Sequence, residues 1–135
     1  MSNPNKAKGT AWEGAVCAFL RSAGFTEVFR LAPGGEHDAG DVGGLPDWAL
    51  ECRDRGRIDL AGDVRDAEMR AVKKGCRFGA AVIKKRRAHV ADGYVVMSLA
   101  LFVEVLDELA NGRATTSEVE GMGSNGPYPP DMTST

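Results

Sequence analysis

The chain has 135 residues, and 43% of them are hydrophobic, which is enough for one domain with a buried core. Its formal net charge of −2 does not by itself indicate a nucleic-acid partner, and no apolar run reaches the roughly 18 residues that a membrane span needs. The three cysteines match no metal-binding spacing, so they are interpreted as reduced core residues of a cytoplasmic protein.

The charges are unevenly distributed along the chain. Residues 51–88 contain 12 of the 17 lysines and arginines but only 6 of the 19 acidic residues. A basic middle segment on an acidic background is typical of a local electrostatic footprint, and we expect a basic surface there.

The first third of the chain predicts one helix and one strand. Residues 1–9 are polar and are expected to be flexible. Thr10 and Glu13 form a capping box that predicts a helix start, and Gly24 predicts its end. Residues 25–31 are typical of a strand, and a glycine-rich loop follows over residues 32–40.

Residues 41–42 and 47–53 predict two antiparallel strands joined by a turn over residues 43–46. The second strand alternates, with Trp48, Leu50 and Cys52 on one face and Glu51 and Arg53 on the other. The hairpin is expected to bring Asp41 close to the second face.

The remaining pattern predicts a helix over Leu60–Lys74 and a doubly covered strand over Phe78–Ile83, because the latter is a continuous apolar run. A basic run occupies residues 84–87. A short strand is expected at 94–97 and a last helix at 99–111, ended by Gly112. Residues 113–135 are rich in Gly, Ser, Thr and Pro and are expected to be a disordered tail.

Asp41 and Glu51 are hard oxygen ligands on neighbouring strands. Two carboxylates and a backbone carbonyl suit Mg²⁺, which completes its coordination with water and phosphate oxygens. A cation on the same face, Arg53, can hold the attacking water or a phosphate oxygen. This combination indicates metal-assisted phosphodiester hydrolysis.

Those residues carry a family resemblance. "GDV", followed ten residues after its aspartate by "ECR", resembles the signature of the PD-(D/E)XK, or restriction-endonuclease-like, superfamily, and the predicted element order matches its αβββαβ core. The phrases "GTAWEGAV", "HDAGDVGG" and "RIDLAG" resemble the small Holliday junction resolvase-like nucleases of actinobacterial phages. The resemblance covers about residues 9–106.

The resemblance implies an α/β fold in which helices flank a mixed central sheet, with a nuclease domain at residues 10–112. It implies a structure-selective endonuclease that uses Mg²⁺, or Mn²⁺ in its place, on branched DNA such as a four-way junction. Such a phage-encoded enzyme would act in the cytoplasm of its bacterial host. Two matched cuts on a junction favour a homodimer, for which the apolar residues 94–109 offer a surface.

Carried over to this sequence, the metal ligands are Asp41, Glu51 and the carbonyl of Cys52. Glu13 matches a helix-one glutamate that faces the active site in resolvases. Arg53 stands where the family pattern has lysine. An arginine stays protonated, so it cannot act as a general base, but it can clamp a phosphate through two N–H groups.

Six cations are candidates for DNA contact. They are Arg55, Arg57, Lys84, Lys85, Arg86 and Arg87. Lys84 follows a strand expected near Glu51, so it is also a candidate for the ammonium that Arg53 replaces.

Several residues have simpler interpretations. Glu51 and Arg53 would then be an ordinary ion pair on an exposed sheet face, Glu13 only a helix cap, and the run 84–87 only a soluble loop. Asp38 and Asp47 are interpreted as turn residues, with Asp38 in reserve as a ligand. His37 is interpreted as a solvated loop residue rather than a metal ligand, and His89 as a loop residue.

Two other functional classes stay open at this point. One is a DNA-binding module that kept the fold and lost its chemistry through the arginine replacement. The other is a small α/β interaction protein with a fortuitous signature. Binding to branched DNA separates the second class from the nuclease, and Mg²⁺-dependent cleavage separates the first.

Overall fold

The structure is a computed structural model that describes residues 4–31 and 41–120. The elements follow in the order α1 (Pro4–Ser22), β1 (Phe29–Arg30), β2 (Val42–Gly43), β3 (Trp48–Arg53), α2 (Leu60–Lys74), β4 (Phe78–Ile83), β5 (Tyr94–Val96) and α3 (Leu99–Glu120). A single 3₁₀ turn, Val90–Asp92, precedes β5. The predicted α/β class is therefore confirmed, and the elements follow one another in the predicted order.

The chain divides into two compact units, Met1–Ser98 and Leu99–Thr135. The first contains both sheets with α1 and α2, and within the second the described element is α3. The candidate site residues all lie in the first unit.

The larger sheet is built around β4. Strand β3 pairs with β4 in parallel, with Glu51 opposite Ala81, and β5 pairs with β4 in antiparallel orientation. This is the mixed sheet that was predicted. Parallel pairing of β3 and β4 requires a crossover, and α2 supplies it.

Local signals explain why α2 has the predicted bounds. The Asp59 side chain accepts a hydrogen bond from the Gly62 amide at 3.0 Å, which satisfies one free donor of the first turn. Gly75 ends the helix in the left-handed conformation, with φ of 73°. Because α2 is fixed at both ends, the acidic and basic side chains of its inner face have a defined register against β3.

One face of the sheet packs against α1. Trp12, Val16 and Cys17 of the helix form one buried cluster with Leu50, Cys52, Ala80 and Val82 of β3 and β4. The indole Nε1 of Trp12 donates a hydrogen bond to the Val82 carbonyl at 2.9 Å. The apolar face of β3 is thus the core face, as predicted.

The opposite face of the sheet packs against α2. Gly79 of β4 makes this approach possible, because a Cβ at that position would overlap the Ala67 carbonyl and press on Ala71. Glu51 and Arg53 lie on this covered face, so the interpretation of an exposed sheet face is wrong: Glu51 is only 3% exposed.

The start of α1 differs from the prediction. The helix begins at Pro4 and runs through residues 4–9, which the sequence assigned to a flexible N-terminus. Thr10 lies inside the helix, so the predicted capping box is wrong. Proline at the first helical position is favourable because its missing N–H has no helical partner there.

The predicted hairpin is also wrong in its pairing. Strand β2 pairs with β1, with Phe29 opposite Gly43, while β3 pairs with β4. Residues 25–28 form a turn, so β1 is much shorter than the predicted strand over residues 25–31. The 43–46 turn exists, with Gly44 at φ of 79°, but it carries the chain from one sheet to the next.

The last helix is longer than expected. It continues to Glu120, past the predicted end at Gly112 and into the segment predicted to be disordered. The rest of that segment, residues 121–135, lies outside the described residues. So do residues 32–40, which contain His37 and Asp38.

Candidate metal and active site

Asp41 is held between the two sheets by its backbone and by its side chain. Its amide donates to the Leu50 carbonyl at 3.1 Å, and its carbonyl accepts from the Leu31 amide at 3.0 Å. Its Oδ2 accepts a short hydrogen bond, 2.7 Å, from the Cys52 amide. The proximity of Asp41 to β3 was predicted, and the structure confirms it by this route rather than by a hairpin ladder.

Glu51 is a buried carboxylate between two arginines. Its Oε2 lies 3.0 Å from Arg53 Nη1, and its Oε1 lies 2.9 Å from Arg70 Nε. Burial raises the pKa of Glu51, and repulsion by Asp41 adds to this, whereas Arg53 and Arg70 oppose it. The two guanidinium groups therefore provide the positive charge that a buried carboxylate needs.

Arg53 is the centre of the cluster. Its Nη1 lies 3.0 Å from Glu51 Oε2, 3.1 Å from the Cys52 carbonyl and 3.8 Å from Asp41 Oδ2. On its other side, Nε lies 3.4 Å from Asp63 Oδ1, and Nη2 lies 3.4 Å from Asp66 Oδ2. Burial alone would lower the pKa of Arg53, but Glu51 and the other carboxylates raise it, so the group stays charged.

Glu13 reaches the same region from α1. Its Oε2 pairs with Arg30 Nε at 3.5 Å, and its side chain is mostly covered. Burial and repulsion by Asp41 raise the pKa of Glu13. Because α1 begins nine residues before Glu13, the helix-cap interpretation is wrong, and Glu13 belongs to the carboxylate group around Asp41.

Cys52 contributes its backbone and not its sulfur. Burial raises the pKa of the Cys52 thiol, so the thiol stays protonated and is a poor metal ligand. Its amide binds Asp41 and its carbonyl faces Arg53 Nη1. The predicted role of the Cys52 carbonyl as a metal ligand stays a prediction.

The three oxygen donors fit a hard divalent cation, since two carboxylates and a peptide carbonyl converge on one cationic nitrogen, Arg53 Nη1. Over the described ranges, no group of three or more His, Cys, Asp or Glu side chains is arranged to hold a metal ion. The donor set therefore consists of two carboxylate side chains and one backbone oxygen.

The sequence prediction missed three members of the cluster, Asp63, Asp66 and Arg70. They follow one another at spacings of three and four residues, so they share one stripe of α2, and that stripe faces β3. Ala67 and Ala71 lie beside them and are buried. In the sequence, the three charged residues lie at helical spacing beside the small residues Ala67 and Ala71. This pattern indicates a polar helix face that is turned towards the sheet.

The predicted DNA-contacting cations fall into two groups. Lys84 and Arg86 pair with the nearly buried Asp54, at 3.8 and 3.2 Å. Arg57, Lys85 and Arg87 are exposed, and Arg87 has a left-handed backbone, with φ of 54°.

Lys84 does not supply a second cation to Glu51 in this arrangement, because its ammonium pairs with Asp54. Arg70 fills that position instead. The other candidate, Arg55, is half exposed and pairs with Asp63 at 3.2 Å.

Two clefts open beside Arg53. One of about 420 Å³ is lined by Lys8, Gly9, Cys52, Arg53, Asp54, Arg55 and Gly56. The other, of about 210 Å³, is lined by Arg53, Asp66, Met69, Arg70 and Lys73. Three cations against one carboxylate give the larger cleft a lining suited to an anionic group.

Two of the minor assignments are confirmed. Asp47 is an exposed turn residue with φ of 66°, and its carbonyl accepts from the Phe78 amide at 2.9 Å. His89 lies in a loop, where its Nδ1 accepts from the Ala91 amide and caps the 3₁₀ turn.

The fold and the cluster together define a mixed α/β protein with a buried carboxylate–arginine centre at a sheet–helix interface. Comparisons of the chain with protein-family models, curated proteins and solved structures found no match. Among the described helices, none has the length and apolar character needed to cross a membrane.

Proposed function

We propose that this chain is a Mg²⁺-dependent, structure-selective DNA endonuclease of the Holliday junction resolvase type, with a PD-(D/E)XK, restriction-endonuclease-like core. The observation that carries the proposal is the convergence of Asp41 Oδ2, Glu51 Oε2 and the Cys52 carbonyl on one point beside the basic cleft. These are the donors that the family resemblance assigns to the metal.

In this proposal Asp41, Glu51 and the Cys52 carbonyl hold the cation, and Mn²⁺ substitutes for Mg²⁺. The bound cation would supply Lewis-acid activation and neutralise charge on the phosphate. The protein's contribution is positional, because the Cys52 amide and Arg70 fix the two carboxylates before substrate arrives.

The larger cleft supports a phosphate-binding role. Arg53 and Arg55 line it from the end of β3 and the loop that follows, and Lys8 lines it from α1. Arginine binds phosphate through two N–H groups, and this binding does not depend on base sequence. In this proposal Glu13, whose pKa is raised by burial and by Asp41, would orient a water in the same region.

One observation favours a second candidate, a DNA-binding module with weakened or lost chemistry. Arg53 contacts four carboxylates and one carbonyl, and it stays charged. A guanidinium held in this way cannot exchange a proton with an attacking water. In this candidate the cluster maintains the fold while the exposed cations bind DNA.

The deciding experiment uses labelled four-way junction, flap and plain duplex DNA of matched length, each with Mg²⁺ or with EDTA. The nuclease proposal expects cleavage of a branched substrate with Mg²⁺ and none with EDTA. Binding of branched DNA without cleavage in either Mg²⁺ or Mn²⁺ selects the second candidate. Failure to bind any of the substrates removes both and leaves a small interaction protein.

A further inference from the structure

One atom occupies the point on which the three proposed metal ligands converge. Arg53 Nη1 lies within 3.8 Å of Asp41 Oδ2, Glu51 Oε2 and the Cys52 carbonyl. A guanidinium nitrogen and a divalent cation cannot share that position, because both are positive and both require the same lone pairs.

We propose that Arg53 competes directly with the divalent cation for these three oxygen atoms, and that cation binding turns the guanidinium towards Asp63 and Asp66. The inference rests on the proposed metal site, but it concerns an intrinsic property of the chain, the metal affinity set by its own arginine. It assigns to Arg53, in the metal-free protein, a role as competing cation.

The structure provides an alternative set of acceptors for the displaced guanidinium. Asp63 and Asp66 of α2 already lie 3.4 Å from Nε and Nη2. Asp63 is buried, whereas the side chain of Asp66 is about half exposed. The guanidinium can therefore leave the three oxygens and keep two charged partners, which avoids a buried unpaired charge.

There is also space for this rotation. The 210 Å³ cleft lies on the α2 side of Arg53 and is lined by Arg53, Asp66, Met69, Arg70 and Lys73. It is larger than a guanidinium group. Since Arg70 holds Glu51 Oε1, the carboxylate does not need to follow Arg53 when Arg53 turns.

Electrostatics predict that Arg53 lowers the affinity of the site for a divalent cation. Asp41 and Glu51 need positive charge because both lie at or near the protein interior and repel each other. With arginine at position 53, the cation gains only the difference between its own attraction and that of Arg53. With a neutral residue there, the cation gains the full attraction, so affinity increases.

The experiment measures Mg²⁺ and Mn²⁺ binding to the full chain by titration calorimetry, with no DNA present. Arg53→Gln is expected to bind both ions at least tenfold more tightly than the parent. Arg65→Gln is the matched control, since it removes the same charge from an exposed position on α2. It is expected to bind the ions within twofold of the parent.

A second variant tests the acceptors Asp63 and Asp66, and it is expected to change the metal affinity in the opposite direction. Asp66→Asn weakens the alternative position of Arg53, so Mg²⁺ binding is expected to weaken about threefold. Thermal denaturation gives an independent readout, in which Arg53→Gln melts lower than the parent in EDTA and gains more from added Mg²⁺.

Equal or weaker Mg²⁺ binding by Arg53→Gln would overturn the inference. If Arg53→Gln does not fold in EDTA, recovery of a cooperative melt on addition of Mg²⁺ supports it, and no recovery overturns it. Tighter binding by Arg53→Gln with no DNA cleavage by either protein keeps the inference and removes the nuclease. If the parent cleaves DNA and Arg53→Gln binds the ions with unchanged affinity, the inference is overturned and the nuclease proposal is kept.

Discussion

The Cys52 amide donates its hydrogen bond to Asp41 and not to a neighbouring strand, so one carboxylate oxygen takes the place of a ladder acceptor on β3. This places the Asp41 carboxylate beside Cys52, the residue that follows Glu51 on β3. Both carboxylates and the Cys52 carbonyl thereby face Arg53 Nη1. The arrangement makes both carboxylates testable as a pair.

Asp41→Asn and Glu51→Gln are each expected to reduce Mg²⁺-dependent cleavage by more than about 100-fold, because each removes a formal charge from the donor set. DNA binding should be retained or improved, since repulsion of phosphate decreases. Single-turnover cleavage and a binding assay in Ca²⁺ measure the two effects. Glu68→Gln, on the exposed face of α2, is the control. Parent-like cleavage by either site variant would show that the metal assignment is wrong.

Arg53→Lys is expected to retain or raise cleavage, since lysine is the residue of the family pattern and an ammonium can hold a water. Arg53→Ala is expected to lose most of it despite tighter metal binding, because no cation then faces the phosphate. Cleavage rates at saturating Mg²⁺ separate this effect from metal affinity. If both variants cut like the parent, Arg53 has no part in the chemistry.

The exposed cations Lys85 and Arg87 provide a test of DNA binding that does not disturb Asp54. Replacing both with serine is expected to weaken binding of every DNA sequence to a similar extent. The slope of log K against log salt should decrease by roughly 0.9 for each phosphate that the variant no longer neutralises. Lys84→Ser and Arg86→Ser, unlike the Lys85/Arg87 variant, should lower the melting temperature, because Asp54 then has fewer cationic partners. An unchanged slope in the Lys85/Arg87 variant would exclude this run from the DNA interface.

Glu13→Gln is expected to raise the melting temperature at pH 7 to 8 by a few degrees. Its pKa in the folded protein lies above the usual 4.5, so the folded state carries a charge that burial and Asp41 disfavour. The difference from the parent should shrink as the pH falls through the raised pKa, and vanish below about 4.5, where both proteins are neutral at position 13. Glu27→Gln, at an exposed position, is the control. A gain that is independent of pH would contradict the assignment.

Gly79→Ala and Gly14→Ala are expected to change the free energy of unfolding in opposite directions. At Gly79 the added methyl meets the Ala67 carbonyl, so the strand and α2 must separate, at a cost of about 1–3 kcal/mol. At Gly14, inside α1, nothing lies within 4 Å of the added Cβ, and the helix gains about 0.5–1 kcal/mol. Chemical denaturation measures both. Equal effects at the two positions would contradict the close packing of α2 on β4.

The bounds of some helices and strands could be predicted from the sequence, whereas the pairing of the strands could not. The bounds of α2 and β4 follow from local signals, a capping aspartate, a terminal glycine and an unbroken apolar run, and the predictions for both are confirmed. Pairing is not local. Residues 43–46 have the composition of a hairpin turn, yet β3 gains more by burying both faces beside β4 than by pairing with a two-residue strand.

The site shows the same distinction. Asp41, Glu51 and Arg53 were found because their spacing along two neighbouring segments is visible in the sequence. Arg70 was not found, because a charged residue on a helix is normally solvated, and only the register of α2 against β3 turns it inward. For the same reason, nothing in the segment 84–87 indicates that two of its cations pair with Asp54.

The hydrogen bond from Trp12 to the Val82 carbonyl joins residues that are 70 positions apart. During synthesis, α1 leaves the ribosome well before β4, so the Trp12 indole has no hydrogen-bond acceptor in the sheet until β4 has emerged. Glu13 adjoins Trp12 and takes its place with it. We therefore expect α1, and Glu13 with it, to reach its final position only after β4 has joined the sheet, so that a nascent chain halted before β4 would lack the complete site.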